Sequence, residues 1–275
     1  MRIASLFLIV ALLLVSVSCK SPEEPLLQIR ILDVGQGNAI LIRLQSGDIL
    51  IDAGTESSQA SLCRRLRALG VRTLKLLVLT HADEDHIGGA DGILSEFPTE
   101  LVWINGEEGD SESYLRLVGM LATRQDSTKT VSAGECFRLD HLTLTVLTPM
   151  ADGEQMITLL LRIGEFSALF MSDASGKTER AILTEYGNTQ LDIDLLCVGH
   201  HGAADVCTEE LLQATTPTYA AISCGAGNLY GHPDGRTLER IRAAEITLYR
   251  TDTDGETVFY IKENRYAEVK TSIEK

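Results

Sequence analysis

Residues Thr80 to Gly89 read THADEDHIGG, and the six residues from His81 to His86 hold two histidines and three carboxylates. The whole chain of 275 residues has only six histidines, so two of the six stand in one short loop. Immediately upstream, Leu74–Thr80 reads LKLLVLT, a short continuous apolar run of the kind that forms a strand buried on both faces. A strand ending at Thr80 delivers the next residues to the rim of its sheet, where loops carry chemistry while strands hold them still. His81 and Asp83 are one residue apart, and Asp85 and His86 are adjacent. In a tight loop these two pairs point to two neighbouring ions. Gly88 and Gly89 bring no side chain to crowd the packing. The simpler reading is a solvated acidic loop in which Asp83, Glu84 and Asp85 favour a helix N-terminus. That accounts for the carboxylates but not for two imidazoles.

Most of the remaining histidines have the same setting. His200 and His201 follow an apolar run in LLCVGHHGA, and His232 lies in GNLYGHPDG shortly after AAISC. Asp173 ends ALFMSD, and Asp52 lies near the end of ILIDAG. Only His141, in the turn RLDHLT, stands apart, and its reading is structural. Tyr230 fits a substrate-facing role and a packing role equally.

Working outward, Leu27–Asp33, Ala39–Leu44 and Asp48–Asp52 read as strands, by alternation and by the turns GQGN and QSGD. Ser57–Leu69 reads as a helix stopped at Gly70. GADGILSEF and SESYLRLVGMLAT read as helices around a strand LVWI. The second half repeats the style, with strands in CFRLDHLTLTVLTP, MITLLLRIG, FSALFMS, LDIDLLCVG, TYAAISCG, ITLYRT and TVFYIKE. Its helices are GKTERAILTEYG, CTEELLQATT and DGRTLERIRAA. Two similar strand-rich halves without a dividing linker predict two mixed sheets packed together, with helices outside.

Composition narrows the function. With 44% hydrophobic residues the chain can build a large core, and Trp103 is its one tryptophan. A net charge of −15 argues against tight, non-specific coating of DNA, although bound cations would supply local positive charge. Residues 1–18 carry one arginine and an apolar run from Ile3 to Val17, which fits a secretory signal peptide. Cys19 stands where a bacterial lipoprotein is lipidated; simple cleavage after Ser18 and an uncleaved membrane anchor are the alternatives. Residues 19–26 read as a linker and 27–275 as one domain, placed outside the cytoplasm. Cys63, Cys136, Cys197, Cys207 and Cys224 lack Cys-x-x-Cys spacing and read as buried thiols.

The motifs together carry a family resemblance. THADEDHIGG resembles the H-x-[HD]-x-D-H signature of the metallo-β-lactamase fold superfamily. LDVGQGNAILIRLQSGDILIDAG, LTHADEDHIGGADGIL, LFMSDAS, VGHHGA, AAISCGAGNLYGHPDGRTLERI and YRTDTDG occur in the order of ComEC-type competence hydrolase domains and span about Leu27 to Tyr260. The resemblance implies an α/β fold, an αββα sandwich of two mixed β-sheets flanked by helices, with a dinuclear site at one edge. It places His81 and Asp83 on one ion, Asp85 and His86 on the other, Asp173 bridging and His200 completing the set, with the choice between His200 and His201 left open. His201 and His232 would lie beside the ions as catalytic groups, Asp85 would orient the nucleophile, and Asp52 would buttress the loop. The chain departs from the family pattern at Asn38, Ser172, GEQMIT and Ala203; none of these is a proposed ligand.

The function implied is a hydrolase with two divalent ions, zinc or manganese, which activate water for attack on a phosphodiester, either a small molecule or a nucleic acid. Carboxylate-rich ligation favours harder ions and keeps manganese in contention. Hydrolysis of a lactone, lactam or thioester is a second reading. A non-catalytic metal-binding surface lipoprotein is a third, motivated by GEQMIT and HHGA. The N-terminus supplies the membrane contact, through lipid or an uncleaved segment, and no protein partner is inferred.

Overall fold

Successive residues of the first four strands are buried on opposite faces, as a sheet covered on both sides demands. These strands are β1 (Leu27–Ile31), β2 (Ile40–Leu44), β3 (Gly47–Ile51) and β4 (Leu74–Leu79). Ile29, Ile42, Ile51 and Val78 belong to one apolar cluster, whereas Leu41, Leu50, Leu77 and Leu79 belong to another. The structure, a computed structural model, describes residues 25–148, 154–187, 191–262 and 267–273. The expected signal peptide at 1–18, Cys19 and most of the expected linker lie outside the described residues.

The other strands are β5 (Val102–Ile104), β6 (Thr128–Thr130), β7 (Cys136–Leu139), β8 (Leu142–Thr148), β9 (Thr158–Ile163), β10 (Phe166–Phe170), β11 (Leu195–Cys197), β12 (Tyr219–Ile222), β13 (Thr247–Arg250), β14 (Thr257–Ile261) and β15 (Ala267–Thr271). Among the described residues they form two sheets. One runs β15-β14-β1-β2-β3-β4-β5-β6 and the other β13-β12-β11-β10-β9-β8-β7. Both are mixed: β3 to β6 pair in parallel, as do β10 to β13, and the rest are antiparallel.

The inner faces meet in one core, where Ile29, Ile42 and Val78 pack with Leu144, Leu159, Leu161 and Phe170. On the outer face of the first sheet lie α1 (Gln59–Ala68), α3 (Ala90–Glu96) and α4 (Glu112–Leu121), which bury Leu62, Leu66, Ile93 and Leu117. The second sheet is covered by α5 (Gly176–Tyr186), α6 (Glu209–Thr215) and α7 (Gly235–Ala243) through Ile182, Leu211 and Ile241. One-turn helices α2 (Glu84–Ile87) and α8 (Thr251–Asp254) complete the set. The layers are therefore helix, sheet, sheet, helix, as the sequence implies.

Several elements differ from the sequence reading. LDIDLLCVG is strand only over Leu195–Cys197, because Ile193 N–H donates to Thr215 O and Asp194 N–H to Ser167 O, off the ladder. CFRLDHLTLTVLTP folds back on itself at Asp140, whose φ is +51°, and becomes two strands. The acidic loop contains a helical turn, so Glu84 and Asp85 do sit in the first turn of α2. Strands β6 and β15 have no counterpart in the sequence reading; both are edge strands, too short or too polar to alternate. Four of the five described cysteines are buried, but Cys136 is exposed. It lies on edge strand β7, so the buried-thiol expectation fails there. Among the described residues no helix is long and apolar enough to cross a membrane.

A buried ion network ties the start of β14 to its neighbour β1 and to helix α1. Glu256 accepts from Arg30 Nη1 at 2.8 Å and from Arg65 Nε at 2.6 Å, joining β1 and α1. Arg30 is 9% exposed, so loss of the carboxylate strands a buried guanidinium. Glu256→Ala is expected to destabilise the fold by about 3 kcal/mol, the lower end of the range for breaking a buried pair. Denaturant unfolding checks it; an unchanged midpoint would show that the network is not structural.

Candidate metal centre

Five strand ends build the centre. Asp52 follows β3, Thr80 and His81 follow β4, Ser172 and Asp173 follow β10, His200 and His201 follow β11, and Ser223 follows β12. Each is the C-terminal end of a strand with a parallel neighbour, the side of α/β sheets where sites collect. The backbone is bent sharply to reach inward. Asp52 (φ +59°), Ser172 (+50°), His200 (+45°) and His201 (+50°) all occupy the left-handed region without being glycine. Such residues cost on the order of 1–3 kcal/mol each and persist where surrounding structure over-determines them. Gly88 and Gly89 serve close approach: a Cβ at Gly88 would meet Glu56 N and Glu84 O, and one at Gly89 would meet Ala53 O.

The hydrogen bonds fix which ring nitrogen faces the centre. Asp52 is fully buried and acts as acceptor only. It takes hydrogen bonds from Thr80 N (2.8 Å), Thr80 Oγ1 (2.9 Å), Asn38 Nδ2 (2.8 Å) and His86 Nδ1 (2.7 Å). His86 Nδ1 therefore carries a proton. The Thr80 hydroxyl spends its proton on Asp52, so it accepts from Ser172 Oγ at 2.7 Å and from His81 Nδ1 at 3.1 Å. His201 Nδ1 donates to the Ser223 carbonyl at 2.8 Å. In all three rings the outward Nδ1 is held by a donor bond, and Nε2 is turned inward.

What those Nε2 atoms face is carboxylate. His86 Nε2 lies 3.0 Å from Asp173 Oδ1, His81 Nε2 lies 3.5 Å from Asp83 Oδ2 and 4.0 Å from Asp173 Oδ2, and His201 Nε2 lies 3.1 Å from Asp85 Oδ2. Yet His81 Nε2, His86 Nε2 and Asp173 Oδ1 are buried without an aligned hydrogen-bond partner. Burial alone would push the Asp173 carboxyl up, but the charges of His86, His201 and His81 outweigh it and hold it well below the usual range. Burial would likewise push His86 down, and the Asp173 and Asp52 charges raise it well above the usual imidazole range instead. His201 is raised in the same way, against burial, by Asp85 and Asp173. The centre thus calls for positive charge between nitrogen and carboxylate. Ligand atoms of His81, His86 and Asp173, and of Asp85, His86 and His201, each lie within 4.8 Å of one another. Imidazole nitrogens and carboxylate oxygens at that spacing fit divalent cations such as zinc or manganese.

The sequence-derived residues are distributed as follows. His81, Asp85, His86, Asp173 and His201 come together, with Asp52 behind them and Asp83 on the rim, its side chain 72% exposed. The twin imidazoles, between which the sequence left the choice open, differ in depth. His201 is 5% exposed and faces Asp85, whereas His200 is 45% exposed, with Nε2 3.8 Å from Asp173 Oδ2. His232 stands one ring further out, 5.6 Å from the His200 ring. Burial and the His200 and His201 charges lower its pKa, and its Nδ1 is buried without a hydrogen-bond partner. His141 lies in its exposed turn, in neither group. The sequence reading missed Thr80, whose hydroxyl links Asp52, His81 and Ser172; a threonine directly before the acidic loop was its only signal. An open cleft of about 490 Å³ leads to the centre, lined by His81, Asp83, Glu107, Glu154, Asp173 and Asp205 among others.

Comparison with known proteins agrees with this architecture. The family model of the metallo-beta-lactamase superfamily matches residues 32–226. ComE operon protein 3 of Bacillus subtilis (strain 168) is 30% identical, over 90% of this chain and 34% of that protein. Competence protein ComA of Neisseria gonorrhoeae is 30% identical, over 82% of this chain and 31% of that protein. The chain thus spans about a third of the length of these curated relatives. Among solved structures, the metallo-beta-lactamase fold protein YhfI from Bacillus subtilis superposes with a TM-score of 0.51 at 13% identity, over 82% of this chain and 96% of that one. By fold, by the match over most of its length and by its ComEC-type relatives, the chain belongs to the metallo-β-lactamase superfamily.

Proposed function

We propose that the chain is a phosphodiesterase that works with two divalent cations, zinc or manganese. The observation that carries this reading is the convergence of three inward Nε2 atoms on the carboxylates of Asp85 and Asp173: His201 Nε2 is hydrogen-bonded to Asp85 at 3.1 Å, while His81 Nε2 and His86 Nε2 are buried without an aligned hydrogen-bond partner. His81 and Asp83 would hold one cation, and Asp85, His86 and His201 the other. Asp173 turns Oδ2 toward His81 and Oδ1 toward His86 and His201, which suits a bridging ligand. Cations bound there would lower the pKa of water and polarise a phosphoryl oxygen.

The side chains do the rest. Asp85 is kept ionised by His201 and His86 despite its burial, and it orients the attacking water. Asp52 and Ser223 hold the rings of His86 and His201 in one tautomer. His232, held neutral beside His200, keeps a ring N–H for the leaving oxygen. The acidic lining of the cleft and the net charge of −15 favour a short phosphodiester over a long duplex. Export by residues 1–18, with lipid at Cys19, belongs to the same reading and rests on the composition of that segment alone.

Elemental analysis is expected to give two divalent ions per chain. Chelation is expected to abolish hydrolysis of bis-p-nitrophenyl phosphate, with Mn²⁺ or Zn²⁺ restoring it. Metal bound without turnover of this substrate or of nitrocefin would leave a binding protein, and nitrocefin turnover alone would move the activity to acyl substrates. Asp85→Ala is expected to reduce phosphodiester turnover to background while circular dichroism stays that of the parent.

The twin imidazoles give a separate test. His201→Ala is expected to lower the metal content to about one ion per chain, whereas His200→Ala keeps two; the reverse pattern would restore His200 as the ligand. Asp52→Asn is expected to weaken metal affinity by about 10–100-fold, as loss of a group orienting a ligand does. Titration with a fluorescent zinc indicator reads it, and unchanged affinity would remove Asp52 from the site.

A further inference from the structure

The loop Asn228–His232 is fixed in shape. Asn228 Nδ2 donates to Gly225 O (2.9 Å) and to His232 O (2.5 Å), and Asn228 Oδ1 accepts from Tyr230 N and from His232 N, both at 3.1 Å. All four hydrogen-bonding positions of the amide are used. The loop so braced holds two apolar side chains in water: Leu229 is 100% exposed and Tyr230 is 72% exposed. A packing role for Tyr230 is thereby excluded on all but one side. That side is His232, on which the tyrosine ring stacks at 5.8 Å and 25°. His232 in turn meets His200 edge-on at 5.6 Å, and His200 Nε2 is 3.8 Å from Asp173. Three rings thus lead from the metal-binding carboxylate to an aromatic face open to solvent.

We propose that the open face of Tyr230 stacks on a planar ring of the substrate, a nucleobase, and so makes the enzyme select nucleotide phosphodiesters over base-free ones. This deepens the phosphodiesterase reading and rests on it. Every base has a π-face, so an aromatic platform recognises bases without reading their sequence. A membrane surface is the rival occupant of Leu229 and Tyr230. It is disfavoured because Gly225 to Gly235 contains no lysine or arginine and does contain Asp234, so nothing there draws the loop to anionic lipid.

Binding of a trinucleotide with 2-aminopurine as its base, in Ca²⁺, tests the platform without turnover. Stacking is expected to quench the fluorescence of this probe on the parent protein. Tyr230→Ala is expected to weaken binding about tenfold, within the range for loss of one base–aromatic stack, and Tyr230→Trp to retain it. An abasic trinucleotide, followed by competition with a fluorescent metal indicator, is expected to bind the parent and Tyr230→Ala equally. Equal affinity of parent and Tyr230→Ala for the base-bearing probe would overturn the proposal, as would no binding by the parent. So would loss of sedimentation with phosphatidylglycerol vesicles in Leu229→Ala and Tyr230→Ala with probe binding intact, which would assign the loop to lipid. Base-dependent binding at Tyr230 without hydrolysis of bis-p-nitrophenyl phosphate would instead defeat the phosphodiesterase reading alone.

Discussion

A carboxylate with no contact to water has to be compensated by donors, and the centre is arranged around one such group. Asp52 is fully buried at the end of β3 and takes four hydrogen bonds from Asn38, His86 and both donors of Thr80. Each of those bonds decides something further along. The bond from His86 turns Nε2 toward Asp173. The bond from the Thr80 hydroxyl leaves that oxygen only lone pairs for its other neighbours, which settles the tautomer of His81. The strained φ of Asp52 is retained because the four donors stand in only one arrangement around it.

The second dependence is between the sheets. Thr80 and His81 belong to the first sheet, and Asp173, His201 and Ser223 to the second. Ser172 Oγ donates to Thr80 Oγ1, Ser223 Oγ donates to Gly37 O at 2.7 Å, and Ile157 N donates to Thr80 O at 2.8 Å. These bonds cross the seam that the inner core closes. The spacing of the imidazoles and carboxylates is therefore a property of sheet-on-sheet packing.

Much of this was legible in the sequence, for physical reasons. A run such as LKLLVLT has one low-energy use in a domain of this size, and a loop after it with two imidazoles has few besides ligation. Strand β4 reads as a continuous apolar run because both of its faces are covered. The ends of LDIDLLCVG and the split of CFRLDHLTLTVLTP were not legible, because they depend on partners such as Thr215 and on a left-handed Asp140. The exposure of Cys136 was hidden for a similar reason: strand identity does not reveal which strand is the edge.

The division of labour between His200 and His201 shows the limit most sharply. Adjacent residues in a strand point to opposite faces, so one of two neighbouring imidazoles should enter the site and one should leave it. Here both residues have left the strand and both have positive φ, so alternation no longer applies. What separates them is the acceptor available to Nδ1. His201 finds the carbonyl of Ser223, just past the neighbouring strand β12, and is drawn under the rim. His200 has His232 beside it, an edge contact that leaves its ring half in water. The choice is made by a backbone carbonyl more than twenty residues away, and residue identity at 200 and 201 carries no trace of it.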